Sequence, residues 1–163
     1  MLQWQKRTPE IANLLNPAFC GLVIYTTVAE YQKKVNEGLP FPLMYLILPI
    51  ILHKNTRNRI TSKTNMVVWL QQYQDILVGF PVRARNLVSF TNEAIEFLLY
   101  HNNIIIENKR AIISKKISKA KINRYISADQ EISECISKAA HVGRWFYNMR
   151  SVENIYAAWG VKP

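Results

Sequence analysis

The stretch NLLNPAFCGLVIYTTVAEYQKKVNEGLPFPLMYLILPIILH, residues 13–53, decides the fold. Its second half, Leu39 to Leu52, is a run of 14 residues, each apolar or proline. A helix that spans a bilayer needs about 20 apolar residues, and this run is shorter and broken by Pro40, Pro42 and Pro49. It therefore reads as half of a buried helical hairpin, and no membrane association is expected. Asn16-Pro17 opens the first helix, with the asparagine as cap and the proline at a position that needs no donor. Phe19, Leu22, Val23, Tyr25, Ala29 and Tyr31 give that helix a broad apolar face. Gly38 is expected to stop it as a left-handed C-terminal residue. Leu39 to Pro42 is then the turn, Pro42 opens the second helix, and Pro49 kinks or splits it.

Upstream, Thr8-Pro9-Glu10 is another helix start, and no charged and apolar leader precedes it, so no secretory signal is expected. Cys20 and Cys135 sit in apolar helical settings, as two reduced core thiols of a cytoplasmic protein would.

Downstream, residues 54–63 form a polar connector with at most one helical turn. Asn65 caps an amphipathic helix through Leu77, Gly79 ends it, Pro81 opens another, and Thr91-Asn92-Glu93 starts a third. At Asn103 to Ser114 the period changes. Two isoleucine runs flank Glu107-Asn108-Lys109-Arg110, which predicts a β-hairpin. Helices followed by a small hairpin suggest a winged-helix-like part over residues 65–126, its last stretch, Lys115 to Tyr125, being a basic linker. Ser127 to Gln130 is a capping box for a long helix. Small residues at 139, 140 and 143 on that helix would admit a close neighbour. Ser151 caps a last helix. The class is mainly α, a helical bundle with a winged-helix-like element, in one domain of 163 residues. Its parts are an N-terminal hairpin core (1–64), the winged-helix-like part and C-terminal helices (127–163).

The net charge of +10 is concentrated. Residues 54–63 hold Lys54, Arg57, Arg59 and Lys63 without an acid, and residues 107–124 hold seven cations against Glu107 alone. The remainder is balanced. Such clustering is the footprint of a polyanion, so Lys109, Arg110, Lys115, Lys116, Lys119, Lys121 and Arg124 are candidate nucleic-acid contacts, with Arg57 and Arg59 as a second patch. The other reading of such a run is a solvated face that keeps the chain soluble.

Chemistry is hard to find. His53, His101 and His141 lack ligand spacing, so no metal is expected. There is no phosphate loop, so no cofactor is expected either, and Glu93/Glu96 is a surface pair. The chain reads as a non-enzyme. Trp4, Trp145, Tyr147, Tyr156 and Trp159 gather near the chain ends. Packing of terminal helices and anchoring of a protein interface both account for them.

WQKRTPEIANLLNPAF at 4–19, PFPLMYLILPIILHKNTR (residues 40–57), GFPVRA at 79–84 and the closing GVKP together resemble the middle component of bacterial three-component ABC systems, including the small middle subunit of Lamassu-type defence complexes. The similarity spans nearly the whole chain. It implies an adaptor, kleisin-like in role, that bridges an SMC/Rad50-like ABC ATPase and an effector, often a nuclease, in defence against phage or plasmid DNA. Double-stranded DNA would be met through the complex. The competing expectation is a stand-alone winged-helix transcriptional regulator that binds its operator directly.

Overall fold

The computed structural model describes residues 15–162. Trp4 and the helix start at Thr8 lie outside the described residues. Helix α1 (Pro17–Val35) begins as its sequence dictates, with Asn16 Oδ1 accepting from the Ala18 amide at 2.8 Å. Its end differs from expectation. Asn36, at φ 56°, is the left-handed residue, and its amide donates to the Gln32 carbonyl. Asparagine tolerates this conformation better than most side chains. Gly38 serves another purpose. A Cβ there would lie 2.6 Å from the Ala111 carbonyl oxygen and 2.6 Å from Ile112, so only glycine lets this stretch run beside residues 110–112.

That neighbour is strand β3. The chain continues as β1 (Leu39–Pro40), a 3₁₀ turn (Phe41–Leu43), α2 (Met44–Ile51) with Pro49 inside it, and α3 (Lys54–Arg59). The connector at 54–63 is thus more helical than its composition suggested. Helix α4 (Met66–Gln72) is capped by Asn65 Oδ1, which accepts from the Val68 amide at 3.0 Å. After a 3₁₀ turn (Gln74–Leu77), Gly79 at φ 74° reverses the chain into α5 (Phe80–Asn86). Helix α6 (Val88–Tyr100) starts three residues before the expected Thr91. Thr91 is buried, and its hydroxyl donates back to the Leu87 carbonyl at 2.9 Å rather than capping.

The hairpin is present as β2 (Ile104–Glu107) and β3 (Arg110–Ile113), joined by Asn108 and Lys109, both at positive φ. Two left-handed residues make the turn whose twist matches the flanking strands. The three-stranded antiparallel sheet has the order β1-β3-β2, with Leu39 opposite Ala111 and Ile105 opposite Ile112. The hairpin is therefore completed by a strand from the N-terminal hairpin and not by residues 65–126 alone.

The basic stretch expected to be a linker is a helix, α7 (Lys119–Ala128), with Ser118 Oγ accepting from the Lys121 amide at 3.2 Å. Its charges hide a short apolar stripe, Ile122 and Ile126, which packs half-buried on the core. Helix α8 (Gln130–Met149) is capped by Asp129, which accepts from the Glu131 and Ile132 amides, in place of Ser127. Helix α9 (Val152–Ala158) begins at Ser151 as anticipated.

Among these elements α1 is central, packed most extensively on α8 and then on α6. Small residues set the α1–α8 approach. A Cβ on Gly143 would lie 2.7 Å from the Thr27 carbonyl oxygen, and the Thr27 hydroxyl donates to the Ala139 carbonyl at 3.0 Å. Leu39, Leu43, Leu46, Ile47, Ile50 and Ile51 are fully buried in the same core. No helix among the described residues is long and apolar enough to cross a membrane.

Candidate functional site

The terminal aromatics are largely interior. Trp145 and Trp159 are 1% and 0% exposed and meet Trp69, with ring centroids 5.0 and 6.1 Å away. Each indole N–H has an acceptor: Trp69 donates to the Arg59 carbonyl, Trp145 to the Thr64 carbonyl and Trp159 to Met66 Sδ. Trp145 therefore pins the connector between α3 and α4, and Trp159 the start of α4, to the C-terminal part of the chain, and both side chains are interior. The apolar character of the chain ends could not separate these roles.

The cations separate in the same way. Arg57 is 1% exposed, and its guanidinium donates to the Ile51 carbonyl at 2.9 Å and to Glu131 at 2.6 Å. It ties α3 to α8. Arg59 is held by both carboxylate oxygens of Asp75, at 2.9 and 2.8 Å, and lies over Tyr73. Arg57 is closed off from solvent, whereas Arg59 stays partly exposed beside its carboxylate partner. Arg110 bridges the Glu37 carboxylate and the Gly38 carbonyl, fastening β3 to the end of α1.

What remains is Lys109 at the hairpin turn and a compact group at its open end: Lys115, Lys116, Lys119, Lys121 and Arg124. All six are exposed, and none is in an ion pair among the described residues. The hairpin end is fixed by bonds between Lys115 and Asn102 and between Asn103 and the Lys115 carbonyl. The Ile117 amide donates to the Tyr25 hydroxyl of α1 at 3.1 Å. Five long, solvated cations thus project from a segment whose start is anchored at residues 115 and 117. Helix α7 has no acid in its first turn, so its positive N-terminal dipole adds to the field.

Sequence reasoning missed a second feature, an apolar groove of about 670 Å³. It is lined by Phe41, Pro42, Tyr45 and Leu46, by Pro81, Ala84 and Arg85 of α5 with Val88 of α6, and by Tyr156 of α9. Gly160, Val161 and Lys162 complete the lining. Gly160 sits at φ 68°, and the Val161 and Gly160 amides donate to the Tyr156 and Ala157 carbonyls. This Schellman-type ending of α9 turns the terminal residues onto the groove. Residues from three of the stretches that carry the family resemblance, PFPLM, GFPVRA and the GVK of residues 160–162, therefore meet here although they are distant in sequence. Of the described aromatics expected as interface anchors, Tyr156 lines this groove, and its hydroxyl is spent on the Pro42 carbonyl at 2.5 Å. Tyr45 likewise donates to Asn92 at 2.7 Å.

No constellation for catalysis accompanies either surface. Burial pushes the Cys20 thiol up to about 12 and the Cys135 thiol up to about 11, the acids around Cys135 adding to the effect there. Neither is poised as a thiolate. No group of three or more histidine, cysteine or acidic side chains that could hold a metal ion occurs among the described residues.

No curated protein and no solved structure matches this chain. A family model does, over residues 4–163, nearly the full length. The chain belongs to the family of the ABC-three component (ABC-3C) system Middle Component 3.

Proposed function

We propose that this chain is the non-catalytic adaptor of its three-component complex, bridging an SMC/Rad50-like ATPase and an effector, kleisin-like in role, and touching DNA through Lys115, Lys116, Lys119, Lys121 and Arg124. The complex would act in the cytoplasm against phage or plasmid DNA, as Lamassu-type systems do. The observation that carries the reading is the pairing of two unlike surfaces on one scaffold. One is cationic and lacks internal partners; the other is apolar and concave. A linking subunit needs both. The hairpin at residues 104–113 and the antiparallel strand order β1-β3-β2 support a winged-helix-like reading of this region, one that draws on β1 as well as on residues 65–126.

That same arrangement weakens the regulator alternative. Helix α6, which precedes the hairpin and would occupy the groove-reading position, contains no lysine or arginine and carries Glu93 and Glu96. Base readout in the major groove depends on cationic and amide side chains, and two carboxylates would repel the backbone.

The test is co-purification with the ATPase and effector, followed by DNA titration of the complex. Lys115, Lys116, Lys119 and Lys121 changed together to Glu should leave assembly intact and weaken DNA binding without regard to sequence. The dependence of log K on log salt should flatten by about 0.9 for each phosphate that the variant no longer neutralises. Failed assembly would place this tract against acidic protein. Tight binding of one duplex sequence by the isolated chain would restore the regulator.

A further inference from the structure

The groove between Phe41 and Val88 calls for an occupant. Its lining is apolar apart from two cations, Arg85 and Lys162, and includes no acid. Both cations are exposed, and neither side chain is in an ion pair among the described residues. Val88 is 40% exposed at the rim, and Val82 and Val78 on and beside α5 are 58% and 79% exposed. Burying such side chains is the ordinary work of a protein contact.

The chemistry of the lining narrows the class of occupant. A small ligand is usually oriented by a few fixed polar groups in its pocket. Here the two tyrosine hydroxyls of the lining are already committed, to Asn92 and to the Pro42 carbonyl. An added strand needs a row of free backbone donors, yet the edge strand here, β1, is two residues long and one of them is Pro40, which has no N–H. What is left is an apolar trough lined largely by helices, with flexible cations at its margin. An amphipathic helix laid in such a trough presents anchors three and four residues apart, and its flanks meet the rim. The rim is positive on a chain of net charge +10, so charge complementarity requires carboxylates on those flanks.

We infer that this groove is the docking site for an acidic amphipathic helix of a partner protein, its apolar face between Tyr45 and Val88 and its carboxylates against Arg85 and Lys162. The inference rests on the adaptor reading and names the surface by which one partner is held. The Gly160 turn is part of the device, because it is what brings Val161 and Lys162 to the groove.

The experiment uses the full chain co-expressed with the ATPase and effector encoded beside it, with a photo-crosslinking residue at Val88 or Val161. The crosslinked peptide should carry apolar residues at helical spacing and at least one Asp or Glu beside them. Arg85→Glu with Lys162→Glu, and separately Val88→Asp, should weaken capture of that partner by about tenfold, the scale of removing an interface anchor. Unchanged circular dichroism would show that these exposed positions do not alter the fold. Placing Lys at the crosslinked acid should restore capture by the doubly reversed variant. Full assembly with either groove variant, a crosslinked segment without carboxylates, or a crosslink to DNA or to a second copy of this chain would overturn the docking site alone. A wild-type chain that captures neither partner would overturn the adaptor reading and, with it, this inference.

Discussion

Arg57 shows how far a single residue's role can depart from its sequence neighbourhood. It stands in KNTRNR, among solvated polar groups, yet its side chain is interior and its charge is met by Glu131, 74 residues away. Glu131 itself is half-exposed, so the arrangement is lopsided: losing the acid strands a buried guanidinium, whereas losing the arginine releases the acid to water. Glu131→Ala should therefore destabilise the fold by roughly 3 kcal/mol, since an uncompensated buried charge is the costly outcome. Urea unfolding followed by far-ultraviolet circular dichroism measures this. His141 makes a pH-dependent contribution. Burial holds its pKa below the ordinary 6.5, Arg144 and Lys138 push the same way, and the Thr64 carbonyl opposes them. The unfolded chain then binds a proton more readily than the native one. Stability should fall as pH drops from 6.5 toward the lowered native value, and level off below it. Burial lowers His53 likewise, with Arg83 and Arg57 adding to it. Melting temperatures at about pH 7.5 and about pH 5.5 should differ less in His141→Gln than in the wild type.

At the scale of elements, what was legible in the sequence was what is local. Asn16, Asn65 and Ser151 cap their helices because a short polar side chain reaches an amide two or three residues on, and nothing distant competes. The hairpin was legible for the same reason, two isoleucine runs about a turn that Asn108 suits. The failures share the opposite cause. Thr91 looks like a cap, but burial turns its hydroxyl back onto Leu87. The lysines of 115–124 outweighed Ile122 and Ile126, whose burial depends on a core built elsewhere. Gly38 looks like a helix stop, and its real constraint is the backbone of β3, more than 70 residues later. Gly143 was legible as a small residue but not its neighbour, α1. Replacing it with Ala forces a methyl against the Thr27 carbonyl and Glu30 Cβ. Overpacking of this kind costs about 1–3 kcal/mol. Calorimetry should show a lowered melting temperature, whereas Ala140→Gly, beside it but only half-buried, should cost about 1 kcal/mol or less from helix propensity alone.

For the whole molecule, the excess charge and the terminal aromatics look like two surfaces in the sequence, and the fold redistributes both. Of the nine cations expected at nucleic acid, Arg57, Arg59 and Arg110 serve internal ties. The two described tryptophans among the interface candidates belong to the core. The groove is invisible in the sequence because its lining comes from residues 41–46, 81–88 and 156–162, which only the fold brings together. The family match covers residues 4–163, nearly the whole chain, and so takes in all three segments that line the groove.

The closeness of α1 to α8 has a further consequence during synthesis. Thr27 and Ala139 are 112 residues apart, so the most apolar part of the chain leaves the ribosome long before the helix that covers it. At roughly 5–20 residues per second the wait is on the order of ten seconds. Throughout it, Phe19 to Leu52 lack the cover that α8 later gives them. A chain ending at Ala128 never receives its cover and should collect in the insoluble fraction. Co-production of its natural companions should raise the soluble yield of the full chain, as comparison of soluble and pelleted protein would reveal.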